Sequence, residues 1–237
     1  MKSAPFGCQP PIPPVIHGGG VGAEQKWNEN VLLLPVVGPL MRFWRHEQPG
    51  VVLGASQQRL LPSLASHGIE FVGRKAGGGA VLAGPWMLSL SVLLPAGHRF
   101  VGGGMSPAYE WIGTRFAEVL RALGVDAHPA PKKREAGELA WACFGGFSPW
   151  EVLIEDRKIV GLAQRRSRTG VLVAAGILLH APDWRLLCSV MHRPEEECSQ
   201  LAASTIDLHE ALEVVPDASV VANELQQRLH SDLFRKN

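Results

Sequence analysis

The chain lacks any apolar run long enough to cross a bilayer. The longest near its middle is Val171–Leu179, well short of the roughly 20 residues a spanning helix needs. It also lacks a charge surplus. Lys and Arg number 23 against 22 Asp and Glu, for a net charge of +1. That leaves no broad basic footprint for nucleic acid or an anionic membrane. Cysteine is scarce too. Cys8, Cys143, Cys188 and Cys198 form no C-x-x-C and complete no zinc spacing with the scattered histidines. The first residues, MKSAPFGCQPPIPPVIHGGG, contain no continuous apolar stretch, so no signal peptide is expected and a cytoplasmic location is the default.

What is present is the composition of an ordinary folded domain, 46% hydrophobic and 19% charged. Pro and Gly crowd residues 1–29, which reads as a flexible extended arm; the rest, 30–237, reads as one domain. Val31–Val37 is expected to be a buried strand or a helix end, and Leu40–Trp44 and Val51–Leu53 short strands. Residues 56–68 read as a short helix closed by Gly68. Leu88, Leu90 and Val92 alternate with Ser89 and Ser91, the period of a half-buried strand. The strongest helix signal covers 106–124, with Ile112, Phe116, Val119, Leu120 and Leu123 on one stripe. Residues 129–138 read as a polar linker. Glu151–Ile154 and Ile159–Ala163 are expected to pair around 155–157, with Val171–Leu179 a further strand. The tail reads as helical, Ser204 or Thr205 capping one helix and Asp217 capping a last one with Val221, Leu225, Leu229 and Leu233 inward. Strands, one central helix, strands again and then helices argue for an α+β domain with a mixed, largely antiparallel sheet.

Two stretches carry chemistry. RKAGGGAV (74–81) is neither a P-loop nor a dinucleotide fingerprint. Three successive glycines let a ligand lie on bare backbone, with Arg74 or Lys75 to hold an anion; the plain alternative is a flexible hairpin turn. In WACFGGFSPWEVLIEDRKIVGLAQRR (141–166), Cys143 lies in a Gly/aromatic turn and Lys158 opens an apolar run. A nearby cation raises the thiolate fraction of a cysteine, and a thioester divides an acyl transfer into two easier steps. Lys158 and the N–H groups of residues 144–146 would then stabilise the oxyanion. The alternative is a buried thiol and a solvated lysine.

The segments 40–57, 74–81, 143–166 and 170–179, taken in order, resemble the lipoate/octanoate attachment branch of the biotin/lipoate A/B protein ligase family. The resemblance runs from about residue 30 to the C-terminus. It implies an α/β sandwich, a central mixed sheet flanked by helices, like the catalytic domains of class II aminoacyl-tRNA synthetases and biotinyl protein ligases, with no accessory C-terminal domain. It implies that Arg74, Gly77, Gly78, Gly79 and Ala80 wall an acyl tunnel. Lys158 would contact the acyl carbonyl or an adenylate phosphate, and Gly161, Ala163 and Gln164 would line the same site. No metal site is implied in the transferase reading.

One group of transferases in this branch uses a cysteine where Cys143 stands. The first reading is therefore transfer of an octanoyl or lipoyl group, through a thioester on Cys143, to a lysine of a lipoyl-domain protein. The donor would be acyl carrier protein or an octanoylated lipoyl-domain protein, with no cofactor. The second is an ATP- and Mg-dependent lipoate–protein ligase, with Arg74 and Lys158 on the adenylate. The third is a non-catalytic acyl-binding relative, suggested by Ala83-Gly84 and Ala174 standing where many relatives carry histidine.

Overall fold

The computed structural model describes residues 13–64, 68–103, 106–131, 137–212 and 214–233. Among these residues ten strands form two sheets, accompanied by seven α-helices. β1 (Ile16–Gly19), β2 (Leu40–His46), β6 (Met87–Leu94), β7 (Ala127–Pro129), β8 (Val152–Ile154), β9 (Arg157–Arg166) and β10 (Val171–Leu178) build a seven-stranded sheet in the order β1-β2-β6-β10-β9-β8-β7. Within this sheet only β1 and β2 pair in parallel; the other neighbours are antiparallel. A small sheet holds β3 (Gly50–Leu53) between β4 (Glu70–Gly73) and β5 (Val81–Ala83). The expected mixed, largely antiparallel sheet with flanking helices is what the chain forms.

One face of the large sheet is an apolar core. α3 (Ser106–Ala122) and α7 (Ala218–Leu233) lay Ile112, Phe116, Leu120, Val221, Leu225 and Leu229 on Leu88, Leu90, Val92, Val160, Leu162, Val173 and Ile177. Gly124 ends the α3 segment with φ at 93°, a conformation that favours glycine. Asp217 accepts from Ser219 N at 2.7 Å and caps α7, as its position predicts.

The other face carries the small sheet, α1 (Val21–Asn30), a 3-10 turn at Ala55–Leu60 running into α2 (Leu61–Leu64), and the pair α4 (Trp184–Val190) and α5 (Glu195–Ala203). That second cover changes the expectation for β6. The strand is buried on both faces, Ser91 included, whose hydroxyl accepts from Trp44 Nε1 at 3.2 Å.

Three other expectations need correction. Residues 16–30 are not part of a loose arm. They form β1 and α1, and Val21 is fully buried; residues 1–12 lie outside those described. Val31–Val37 forms no strand. Val31 is the C-cap of α1, so the helix-end reading holds there, and Leu32 is buried against Leu93 and Leu172 with Val31 and Val36 partly buried beside it. Leu33, Leu34 and Val37 are exposed. α6 (Leu208–Leu212) is capped by Asp207, which accepts from His209 N and Glu210 N, rather than by Ser204 or Thr205. The expected linker at 129–138 lies outside the described residues from 132 to 136, and Pro129 closes β7. No helix among the described residues is long and apolar enough to cross a membrane.

Candidate active site

The loop between β7 and β8 carries Cys143, and the glycine loop between β4 and β5 holds it. Ala80 N donates to Trp141 O at 2.7 Å, and Cys143 N donates to Ala80 O at 2.8 Å. This short parallel bridge is possible because Gly79 has no side chain. A Cβ there would sit 2.5 Å from Trp141 O. Gln57 Nε2 also donates to Trp141 O. β4 and β5 are not neighbours in their sheet, so the glycine stretch is not a hairpin turn. Arg74 shapes it from within, its Nη2 donating to Gly77 O and Gly79 O at 3.0 Å each.

Lys158 is not a solvated strand end. It pairs with Leu153 of β8 beside a register shift at Val152/Leu153, and its backbone N–H donates to Ser204 O. Its side chain is fully buried. The ammonium lies 2.6 Å from Cys143 O, 3.1 Å from Gly146 O and 2.6 Å from Glu151 Oε2. Three donors thus meet three acceptors. Glu151 is as fully engaged, Oε2 accepting from Ser148 N and Oε1 from Leu162 N. A buried ion pair is tolerated when all its partners are supplied in this way. Lys158 acts on Cys143 through the backbone, by fixing the turn that carries the thiol. Of the N–H groups at 144–146, that of Gly145 is spent on Ala142 O.

Cys143 and Phe144 form one side of a cavity that is partly open to solvent. Small residues make its floor. Gly161 pairs with Gly176 and Gly176 with Ser89; in the next row Ala163 pairs with Ala174 and Ala174 with Ser91. Val52, Met87 and Leu172 add apolar wall, and α1 lends Glu24, Gln25, Asn28 and Glu29. The result is a slot across the strands with a half-buried thiol at its side. The other described cysteines are different. Cys188 and Cys198 are buried against each other, and burial, with Cys198 alongside, pushes the Cys188 thiol up to about 12. It stays protonated and inert near neutral pH. Among the described residues no group of three or more His, Cys, Asp or Glu is placed to hold a metal.

Residues 29–230 match the lipoyl protein ligase A/B catalytic domain. The chain belongs to that family. Among its relatives, the octanoyltransferase LipM of Kyrpidia tusciae is 30% identical over 203 residues, 81% of this chain and 73% of that one. The octanoyltransferase LipM of Geobacillus kaustophilus is 31% identical over 68% of this chain. The chain spans only 61% of that second protein. A lipoate-protein ligase A structure with bound ATP superposes with a TM-score of 0.71 at 20% identity, covering 94% of this chain and 86% of that one. A bipartite lipoate protein ligase from Thermoplasma acidophilum, studied with its E2 lipoyl domain, gives 0.67 at 21%, covering 94% and 84%. At such identities the likeness is one of fold.

In this lipoyl protein ligase domain, the residues singled out in the sequence divide into two sets. Arg74, Cys143, Gly161 and Ala163 line the cavity. Gly77, Gly78, Gly79, Ala80 and Lys158 do not line it; Gly79, Ala80 and Lys158 brace the Cys143 turn from behind. Gln164 lies on the opposite face. It pairs with Val173 on the helix side of β9 and β10, buried, with neither amide atom bonded. Side chains alternate along a strand, so Ala163 and Gln164 cannot share one wall. The residues missed are Glu24, Asn28 and Ser89. α1 buries polar groups, so no apolar stripe announces it.

Proposed function

We propose that this chain transfers an octanoyl group to a lysine of a lipoyl-domain protein, through a thioester on Cys143. The supporting observation is the half-buried thiol beside an acyl-sized slot with a Gly/Ala floor, in a chain whose relatives include octanoyltransferases. The Cys143 thiolate attacks the thioester carbonyl of the carrier-bound acyl group. The carrier thiolate leaves and takes up a proton, and the acyl group rests on Sγ. The acceptor lysine, as the neutral amine, then attacks the same carbonyl. The Cys143 thiolate is expelled, the amine loses its proton, and an amide remains. Lys158 is a positioning residue in both steps, because its three protons hold the Cys143 turn. Arg74 holds the glycine loop in the same way.

This route needs no cofactor, and its partners are the acyl carrier and the lipoyl domain, with the cytoplasm as the place where they meet. Neither nucleic acid nor membrane enters the scheme. In the ligase reading Arg74 and Lys158 would grip an adenylate. Lys158 is instead committed to two backbone carbonyls and Glu151, which favours the transferase. The non-catalytic reading has no comparable support, since a half-buried thiol faces the cavity.

The test is to mix the full chain with an octanoylated carrier protein and an apo lipoyl domain, without ATP. The expected result is one octanoyl group on one lysine of the lipoyl domain. Product formed only from free octanoate plus ATP would make the chain a ligase.

A further inference from the structure

The charged residues that line the cavity differ in their access to solvent. Glu24 and Arg74 are buried, whereas Glu29, Lys75 and Arg165 reach the surface and mark a mouth. Lys75 Nζ stands 3.9 Å from Glu29 Oε2. The Arg165 guanidinium forms no hydrogen bond or ion pair with any other described residue.

This mouth continues into an apolar face. Thr169, in the turn between β9 and β10, donates its hydroxyl proton to Leu32 O at 2.7 Å, and its own backbone oxygen accepts from Val36 N at 2.8 Å. The turn and the segment after α1 thus form one surface, and Leu32 packs on Leu172 of the cavity wall. Seven large apolar side chains are exposed among the described residues, and four of them, Leu33, Leu34, Val37 and Leu40, fall in this one short stretch. Exposed apolar clusters rimmed by polar groups mark interaction surfaces. Arg168 is exposed in the same turn, and its guanidinium too has no partner among the described residues. Neither 31–40 nor 165–170 contains an Asp or Glu. The face is apolar and basic, so its complement is apolar and acidic.

Distance decides which partner fits. Gly161, Ala163 and Arg165 meet the cavity from alternate positions of β9. A Cβ at Gly161 would lie 3.4 Å from the Phe144 ring, next to Cys143. Arg165 is four strand residues further on, about 13 Å away. A lysine has only a four-carbon stem, so a lipoyl domain resting on this face could not bring its lysine to the thiol. A donor whose thioester hangs on a long prosthetic arm can. We infer that the acyl carrier docks on this face through an apolar, acid-rimmed surface and passes its arm by Arg165 toward Cys143. This rests on the acyl-transfer reading above and assigns a docking face to its donor.

The test reads octanoyl loading of Cys143 by intact-protein mass from two donors, octanoylated acyl carrier protein and octanoyl-N-acetylcysteamine, which offers the same thioester without a protein. Leu34→Ser and Arg168→Glu are combined in one chain; both side chains are exposed and neither lines the cavity. Loading from limiting carrier is expected to fall by about tenfold or more, while loading from the small thioester matches wild type. Added salt is expected to slow the carrier-fed reaction alone. Wild-type loading of the variant from the carrier would overturn the inference, as would an equal fall with both donors. So would slower transfer from loaded Cys143 to a lipoyl domain with carrier loading unchanged, because the face would then belong to the acceptor. Calorimetry with the unacylated carrier separates docking from transfer. If no octanoyl group moves from either donor but the wild type binds the carrier about tenfold more tightly than the variant, the docking face stands and the transfer reading falls. Equal binding by the two chains overturns the docking face.

Discussion

The ammonium of Lys158 lies 2.6 Å from the backbone oxygen of Cys143 and equally close to the Glu151 carboxylate. A lysine and a cysteine fifteen positions apart in the sequence are thus joined through main chain. The cation fixes the loop, and the loop aims the thiol.

Removing that cation is costly. Lys158→Met strands the Glu151 carboxylate among buried groups, and the expected loss of stability is about 3–5 kcal/mol. Glu151→Gln in the same chain removes the orphaned charge, so the double variant is expected to be more stable than Lys158→Met alone. Urea unfolding of both variants checks this, and additive losses would contradict it.

The bare backbone of Gly79 matters more than that of Gly77, near which no atom would meet a Cβ. Gly79→Ala pushes a methyl against Trp141 O and displaces the Cys143 turn. Displacements of this kind, on the order of 1 Å, reduce catalysis by about a hundredfold. The expected outcome is a fall in kcat for octanoyl transfer, with Gly77→Ala close to wild type.

The described thiols should label in order of access. Cys143 is half-buried in the cavity wall, whereas Cys188 and Cys198 are buried and the Cys188 thiol is held protonated. Iodoacetamide applied to the native chain is expected to modify Cys143 and spare Cys188 and Cys198 until urea is added. Peptide mapping reads each site. Equal native labelling of all three would contradict the assigned burial.

Asp232 ties α7 to α3. Burial works to raise its carboxyl pKa, but hydrogen bonds from Arg115 and Trp111 outweigh this and hold it below the usual carboxylate value. A folded-state pKa that is depressed adds stability above the unfolded value of about 4 and loses it as the pH falls through the native one. Asp232→Asn is therefore expected to cost about 2 kcal/mol near neutrality. The gap to wild type should close in acid, which urea midpoints at the two pH values will show.

Much of this was legible where the signal is local. The α3 stripe, the Asp217 cap, the presence of strand β6 and the pairing of β8 with β9 all follow from short-range pattern. The same kind of pattern singles out 74–81 and 141–166, which the fold brings into contact. What pattern does not carry is how layers stack. α1 has no apolar stripe because it buries Glu24, Gln25 and Asn28, and the Pro/Gly run before it masks a strand. Leu33, Leu34 and Val37 are exposed despite their chemistry, because Pro35 interrupts a run that has no layer to join. Gln164 stands beside two site residues in sequence, but strand parity turns it to the other face. Lys158 stands out in the sequence as a candidate, but that its ammonium meets backbone carbonyls follows only from three dimensions.

The central claim is that the acyl group rests on Cys143. Intact-protein mass spectrometry after brief mixing with octanoyl-carrier protein, without acceptor or ATP, tests it directly. The account predicts one octanoyl adduct, mapped to Cys143, released by hydroxylamine and missing from Cys143→Ala, which should also fail to modify a lipoyl domain. Wild-type rates of lipoyl-domain octanoylation by Cys143→Ala would contradict it.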